Sequence, residues 1–225
     1  LDAIDADHTA HLVLDISGVV ALFFAGRYDE ARVAAEDALR RARTLANPSL
    51  LVQALRWFAV TRRPDETDDA IQAIEEGRTH ALAVAVSDNP DVVNALALLA
   101  KLRAGRGERS PAITALREGI VRGHDTGQVP NLLSYTLGYG VSAAANLGAW
   151  EFAATLGGAL TGGPLVWMVY GDPAHVAERD AILDRARAQL GPDRYDAAYA
   201  TGAAMSYEEL IAYSLAELDR LQAES

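Results

Sequence analysis

The chain has 225 residues, half of them hydrophobic, so it is long enough for one large domain or two small ones and is not a disordered chain. Its 20 Lys and Arg residues against 31 Asp and Glu residues give a net charge of −11, which disfavours direct binding to nucleic acid. Cysteine is absent from the sequence, which excludes disulfide bonds, thiolate metal sites and a cysteine nucleophile.

The first apolar stretch covers residues 11–24 (HLVLDISGVVALFF). It contains Asp15 and is too short to span a bilayer. No basic segment precedes it, so it lacks the features of a secretory signal peptide. We therefore expect a cytoplasmic location. Because the sequence begins at Leu1 rather than Met, we also expect the chain to be a piece of a larger protein.

A short frame recurs through the first 160 residues and indicates a repeat. In this frame a small or polar residue is followed five positions later by alanine, as in AGRYDEA (25–31), at successive spacings of 39, 42 and 41 residues. The four copies are Gly26…Ala31, Asp65…Ala70, Gly107…Ala112 and Gly148…Ala153. The apolar helical segments before them are 10–25, 49–63, 91–105 and 131–147, and those after them are 28–46, 68–86, 110–125 and 150–160.

This pattern predicts a helix, a tight turn and an antiparallel second helix, repeated about four times. A glycine relieves the turn, and the alanine lets the two helices approach closely. Helix starts agree, because a capping side chain precedes a proline at Asn47-Pro48, Asn89-Pro90 and Ser110-Pro111. The sequence therefore predicts an all-α protein, an α-solenoid with its repeats in residues 1–160. Four hairpins that share only their turn chemistry are the alternative.

The GRYDEA stretch resembles the inter-helix turn of the tetratricopeptide repeat, and the alanines match that family's small packing positions. The resemblance implies stacked antiparallel helix pairs with a concave binding face. The sequence departs from the family in its period, which is about 40 residues rather than about 34. It also keeps the tryptophan and glycine signature of the first helix poorly. We therefore expect a divergent version with long helices.

Residues 161–225 are predicted to form a loop and a helical cap that packs with the repeats as one continuous domain. Asp172 is expected to cap the first helix of this region, and Ser206 with Glu209 forms an S-x-x-E capping box for the last. The loop is the Gly- and Pro-bounded stretch 161–172 (TGGPLVWMVYGD), and the expected helices are 173–190, 193–201 and 207–222.

The run 190–218 (LGPDRYDAAYATGAAMSYEELIAYSLAEL) is similar to the closing segment of the helical-repeat region in large bacterial ATP-binding regulators. These are the LuxR-type transcriptional regulators and the adenylate-cyclase-linked ATPases. The matching residues are Leu190-Gly191, Tyr195, Ala198-Tyr199, Gly202, Met205-Ser206 and Glu208-Glu209. The chain has no phosphate-binding G-x-x-x-x-G-K-[ST] motif. The resemblance therefore implies a sensor or scaffold part that works with attached ATPase or effector domains.

Sequence signals for catalysis and cofactors are weak. GYGVSA (138–143) matches the dinucleotide pattern G-x-G-x-x-A, but it lies inside a predicted helix, so its glycines predict close helix packing. His8 and His11 have metal-ligand spacing near a terminus, and the acidic run 65–69 fits a helix start. No serine-nucleophile motif occurs. We predict a protein that is not an enzyme and uses no metal or cofactor.

Side chains on the first helix of each repeat are the candidate ligand-binding residues, because these helices line the concave face of a solenoid. Arg, Lys and Asn can grip a carboxylate or phosphate, and aromatic rings can stack on a sugar or peptide. The stretch 164–170 (PLVWMVY) is expected to act as a lid. The candidates are Arg56, Asn94, Lys101, Tyr135, Tyr139 and Trp167. The alternative is that the aromatic residues are core and the charges solvated.

The sequence thus predicts a sensor or scaffold domain of a bacterial signalling or transcriptional regulator that binds a small inducer or a partner protein. The alternative is a free-standing adaptor that binds a peptide segment. Neither function requires direct contact with nucleic acid or a membrane. Because the ends of a solenoid need a cap or a partner, a homodimer through the first helix (Val13, Val20, Phe24) or the Trp167 loop is a further expectation.

Overall fold

The computed structural model describes residues 2–45, 47–83, 89–169 and 173–224. Within these ranges the chain is helical and contains no β-strand, which confirms the predicted all-α class. No helix among the described residues is long and apolar enough to cross a membrane. The chain divides into two compact units, Leu1–Ala95 and Leu96–Ser225. The prediction divided the chain differently, into repeats (1–160) and a cap (161–225), and that division stays a prediction.

The first unit is built from helices that pack in chain order. Helix α1 contacts α2 and α3, α2 also contacts α3, and α3 contacts α4. A short 3-10 turn, Pro64–Glu66, precedes α4. The helices are α1 (Asp2–Phe24), α2 (Tyr28–Ala42), α3 (Pro48–Val60), α4 (Thr67–Ala83) and the start of α5 (Pro90–Gly105). Their shared core includes Leu12, Ile16, Val19, Val52, Leu55 and Ile74, all fully buried.

The second unit is arranged around one central helix, α9, which contacts α8, α10, α11 and α12. Every residue from Phe152 to Leu160 in α9 is buried, as expected for a helix whose side chains are small or apolar on all sides. After the rest of α5, the helices are α6 (Arg109–Asp125), α7 (Val129–Asn131), α8 (Gly138–Asn146), α9 (Trp150–Thr161), α10 (Pro173–Leu190), α11 (Pro192–Ala203) and α12 (Tyr207–Ala223). A π-helical turn, Leu132–Leu137, joins α7 to α8, and a 3-10 turn, Val166–Met168, follows α9.

Three of the four predicted turns share one geometry. Gly26, Gly107 and Gly148 have φ of +74°, +76° and +76°, the left-handed conformation that glycine adopts without strain. In each turn the amide of the next residue donates to a carbonyl five positions earlier, as in Arg27 N to Leu22 O at 2.9 Å, which is a Schellman motif. The alanines that complete these frames are fully buried, namely Ala31, Ala112 and Ala153.

Two turns depart from the predicted frame. Asp65 lies in the 3-10 turn Pro64–Glu66, so this junction is not the glycine turn of the other copies, although Ala70 is still buried. Gly127 has φ of +68°, and Gln128 N donates to Gly123 O at 2.9 Å in the same Schellman pattern. The frame missed this turn because the residue five positions after Gly127 is leucine.

Side-chain caps begin three helices as predicted. The Asn47 side chain accepts a hydrogen bond from Leu50 N at 3.1 Å before α3. Asn89 Oδ1 accepts one from Asp91 N at 2.8 Å at the start of α5. Ser206 N donates to the Glu209 carboxylate at 2.8 Å, and the complete capping box precedes α12. These bonds satisfy amides that the first helical turn leaves without an intrahelical acceptor.

The cap predicted at Ser110 is wrong. Helix α6 begins at Arg109, and the residue before it, Glu108, makes no side-chain cap hydrogen bond. The physical reason is the Schellman turn at Gly107, after which the helix begins at Arg109, so Glu108 has the capping position and Ser110 lies inside the first turn. The cap predicted at Asp172 lies outside the described residues.

Helices α9 and α11 approach each other at backbone distance. A Cβ atom on Gly158 would overlap the carbonyl oxygen of Tyr199, and a Cβ atom on Gly202 would overlap that of Thr155. The Tyr199 hydroxyl also lies 2.8 Å from Thr161 Oγ1. Two residues of the 190–218 run, Tyr199 and Gly202, therefore hold α11 against the central helix.

Candidate functional site

The six candidate residues fall in both units. Arg56 and Asn94 lie in the first unit, and the others, Lys101, Tyr135, Tyr139 and Trp167, lie in the second. Arg56 Nε lies 2.5 Å from Asp91 Oδ1, and the guanidinium stands 4.4 Å from the Trp57 ring centroid. Both members of this ion pair are largely buried, as is Asn94. Removing one member of such a pair would leave an uncompensated buried charge, so Arg56 has a structural task between α3 and α5.

In the second unit four side chains from three helices meet in what we call the Lys101 cluster: Lys101 on α5, Tyr139 on α8, and His175 and Glu178 on α10. Lys101 Nζ lies 2.6 Å from Glu178 Oε2 and 5.4 Å from the Tyr139 ring centroid. The Tyr139 and His175 rings meet edge to face with centroids 4.8 Å apart. The Lys101 side chain is 23 % exposed and that of Glu178 40 %. An ammonium is thus held between a carboxylate and an aromatic face within reach of solvent.

Lys101 is the only lysine in the sequence, all other Lys and Arg positions being arginine. An ammonium is a compact point charge with three N–H donors, whereas a guanidinium is a planar fork. The single lysine of the chain therefore stands beside Tyr139, another of the predicted binding residues.

Two glycines of the GYGVSA stretch act as packing positions, as predicted. A Cβ atom on Gly138 would lie 2.7 Å from His175 Nε2, so only glycine lets the imidazole approach α8 this closely. Gly140 faces Leu116 and Leu156 at van der Waals distance. Both glycines lie in the buried part of a helix rather than after a strand.

The π-helical turn Leu132–Leu137 immediately precedes α8 and contacts α6, α8 and α9. Ser134 Oγ donates to Met168 O at 3.4 Å. Thr136 is fully buried, and its hydroxyl has no hydrogen-bond partner within the described part of the chain, which costs about 1–3 kcal/mol. Turns of this kind are rare and recur at functional sites. This one ends at Leu137, two residues before Tyr139 of the cluster.

Among the described residues of this unit, Trp167 is the most exposed large apolar residue, at 79 %. It stands on the 3-10 turn Val166–Met168. Leu165 before it is buried, and the carbonyl of Met168 is bonded by Ser134. The turn is thus anchored to the π-helical segment while it presents the indole to solvent. The last residue of the predicted lid, 164–170, lies outside the described ranges.

Sequence reasoning missed a groove of about 650 Å³ in the first unit. Phe58 lines it, and the Arg62 guanidinium stands 4.0 Å from the centroid of that ring while it donates to Glu36 Oε1 at 2.8 Å. Arg43 spans from α2 to Glu76 on α4 at 2.6 Å. The lining residues are Glu36, Leu39, Arg40, Arg43, Phe58, Asp69, Gln72, Ala73 and Glu76. The prediction considered the first helices of each pair, whereas this groove is lined mainly by the second helices, α2 and α4.

A smaller pocket of about 480 Å³ lies between α1 and the end of α2. Its lining residues are His8, His11, Leu12, Arg41, Thr44 and Leu45. Among the residues that the structure describes, no group of three or more His, Cys, Asp or Glu side chains is placed to hold a metal ion. The two histidines therefore have no third ligand of that kind near them in the described ranges.

No protein-family model matches the chain, and no curated protein matches it either. The fold and the Lys101 cluster are therefore the basis for assigning a function.

Proposed function

We propose that the chain is a non-enzymatic helical-repeat domain that binds a small ligand, and that it serves as the sensor or scaffold part of a bacterial signalling or transcriptional regulator. The observation that carries this proposal is the Lys101 cluster, where an ammonium, a carboxylate and two rings from three helices meet near solvent. Small-molecule sites typically combine aromatic walls with a few convergent polar groups.

Repeated local geometry supports an α-solenoid of the tetratricopeptide type. The same glycine turn recurs at Gly26, Gly107 and Gly148, and the helices of the pairs α1–α2, α3–α4 and α8–α9 contact each other. In this proposal α10, α11 and α12 form the cap that closes the last repeat. A cap is required because a terminal repeat has no further neighbour to cover its apolar face.

The proposed kinship with LuxR-type and adenylate-cyclase-linked regulators is supported by the structural tasks of the 190–218 run. Gly191 has φ of +77° and ψ of 160°, a conformation essentially restricted to glycine. Gly202 allows the backbone contact with α9, and Ser206 caps α12. Residues with such tasks are expected wherever the same closing helices cap a repeat region.

In the intact regulator the ligand would act on an attached ATPase or effector domain by binding two states of the protein with different affinity. Helix α10 carries His175 and Glu178 and also contacts α8, α9 and α11. A ligand at the cluster would therefore contact α10, which also packs against α11 of the proposed cap. Deletion of residues 1–225 from the intact protein is expected to abolish its regulation, and unchanged regulation would contradict this role.

A thermal-shift screen of small molecules tests the binding site. Lys101→Met removes the ammonium and keeps an unbranched side chain of similar length. We expect compounds that raise the melting temperature of the wild type but not that of this variant, since a ligand at 100 times its Kd stabilises by about 2.7 kcal/mol. Arg117→Met is the matched control, because it removes an exposed cation paired with Asp219 in the same unit. The proposal fails if every stabilising compound also stabilises Lys101→Met.

Trp167 favours a second function, a free-standing adaptor that binds a peptide segment. An exposed tryptophan on an anchored turn is a common hot spot of protein interfaces, and the indole of Trp167 is 79 % exposed. In this case Trp167→Ala should abolish binding of the peptide partner while Lys101→Met leaves it unchanged.

A further inference from the structure

We propose that the Lys101 cluster takes a ligand with a carboxylate on a flat apolar group, and that Glu178 occupies the place of that carboxylate in the structure. This inference rests on the proposed function and specifies the ligand class of the same site. It goes beyond the general expectation that Arg, Lys and Asn can hold an anion.

The contact between Lys101 and Glu178 marks a position for an anion. The two residues are 77 positions apart and their side chains meet at 2.6 Å, so the pair forms because of tertiary packing rather than helical neighbourhood. The ammonium has three donors, and within the described part of the chain it makes one hydrogen bond, to Glu178. Its two other donors can hold an entering carboxylate before that carboxylate takes the place of Glu178.

The rings beside the ammonium define the rest of the ligand. The centroid of the Tyr139 ring lies 5.4 Å from Lys101 Nζ, and the planes of the His175 and Tyr139 rings meet at an angle of 71°. A flat group attached to a carboxylate on Lys101 comes within the 4.5–7 Å centroid distance at which aromatic pairs attract each other. A flat apolar group can stack on these rings, which a branched group of the same size cannot do.

Glu178 can be displaced at small cost. Its side chain is 40 % exposed and that of Lys101 23 %, and an ion pair whose carboxylate is reached by water contributes little to stability. The carboxylate of Glu178 can therefore turn into water when a ligand replaces it. By contrast, the pair of Arg56 and Asp91 is largely buried, so neither member could leave without a large desolvation penalty.

Isothermal titration with benzoate and its neutral analogue benzamide tests the inference on the full chain. Glu178→Ala removes the internal competitor, and we expect it to bind benzoate about fivefold more tightly than the wild type, from the worth of an exposed ion pair. Glu178→Gln keeps the side-chain shape and should change the affinity in the same direction. Glu151→Ala is the matched control, because Glu151 pairs with Arg194 in the same unit at 2.6 Å. Benzamide should show no gain in any variant.

The single lysine gives a second readout. Acylation of Lys101 by an amine-reactive ester can be followed by peptide mass mapping, and benzoate should slow it in Glu178→Ala while benzamide does not. Equal benzoate affinity in Glu178→Ala and Glu151→Ala, or equal protection by the two probes, overturns the carboxylate assignment. If a neutral compound still stabilises the wild type but not Lys101→Met, the proposed function stands without this ligand class. If no compound separates those two proteins, both proposals fail.

Discussion

At the residue scale, replacing glycine by alanine is predicted to change the free energy of unfolding in opposite directions at two positions. In Gly202→Ala the new Cβ atom would overlap the Thr155 carbonyl oxygen, so α9 and α11 must separate, and we expect a loss of about 3 kcal/mol. In Gly18→Ala the Cβ atom on α1 meets no atom within 4 Å, and we expect a gain of about 0.5–1 kcal/mol. Chemical denaturation followed by circular dichroism measures both changes. A similar loss in both variants would show that helix packing is not the cause.

Residue spacing predicted part of the candidate site. Lys101 and Tyr139 were found because they lie on first helices of predicted pairs, where polar residues interrupt apolar periodicity. His175 and Glu178 were missed, because they follow a loop and reach the cluster only through the packing of α10 on α8. One-dimensional periodicity carries no information about that contact, although the glycine at position 138 was a signal that something packs closely there.

At the scale of the element, the capping box of α12 gives a prediction. Ser206→Ala removes the acceptor for Glu209 N and should cost about 1 kcal/mol. Thr201→Ala is a suitable control, because the exposed Thr201 hydroxyl bonds only the carbonyl of Ala197 in its own helix. Chemical denaturation compares the two variants, and an equal effect would contradict a special role of the cap.

The same capping box predicts a pH dependence. Hydrogen bonds from Ser206 lower the pKa of the Glu209 carboxyl below its ordinary value near 4.5. A carboxyl whose pKa is lower in the folded state stabilises the protein fully above its unfolded pKa, and this contribution is lost as the pH falls through the folded pKa. Glu209→Gln should therefore lower stability at pH 7, and its difference from the wild type should shrink below about pH 4. A difference that stays constant from pH 7 to pH 3 would contradict this assignment.

Helices and turns were predicted unequally well. Glycine turns follow from local chemistry, so those at Gly26, Gly107 and Gly148 could be predicted. The π-helical turn Leu132–Leu137 could not, because its sequence is that of an ordinary apolar helix and its contacts with α6 and α9 arise only in the folded chain. The 3-10 turn at Asp65 similarly replaces a glycine turn where the sequence offers no glycine.

At the scale of the whole molecule, composition and periodicity predicted the all-α class but not the division into two units. The boundary lies inside α5, where every residue from 92 to 100 is buried. A sequence search for linkers looks for polar, Gly- or Pro-rich stretches, and α5 has none in its centre. The division therefore arises from the distribution of tertiary contacts along the chain. The hydrophobic pattern of the sequence does not encode that distribution.

The homodimer expected from the sequence is a prediction at this same scale. On α1 the side chains of Val13, Leu14 and Phe24 are 43 %, 67 % and 41 % exposed, although apolar side chains of this size gain free energy when water is excluded from them. We expect the protein in solution to be a dimer, with twice the 24.0 kDa mass of the chain. Val13→Glu should have the mass of a single chain, because a carboxylate cannot be buried in an apolar contact without a partner. Light scattering after size-exclusion chromatography measures both masses.

Val33→Glu is the control, because it places the same charge at an exposed position on α2 and should leave the dimer intact. If Val13→Glu also leaves the mass unchanged, α1 is not the contact, because a buried carboxylate at the centre of this helix would have separated the two copies.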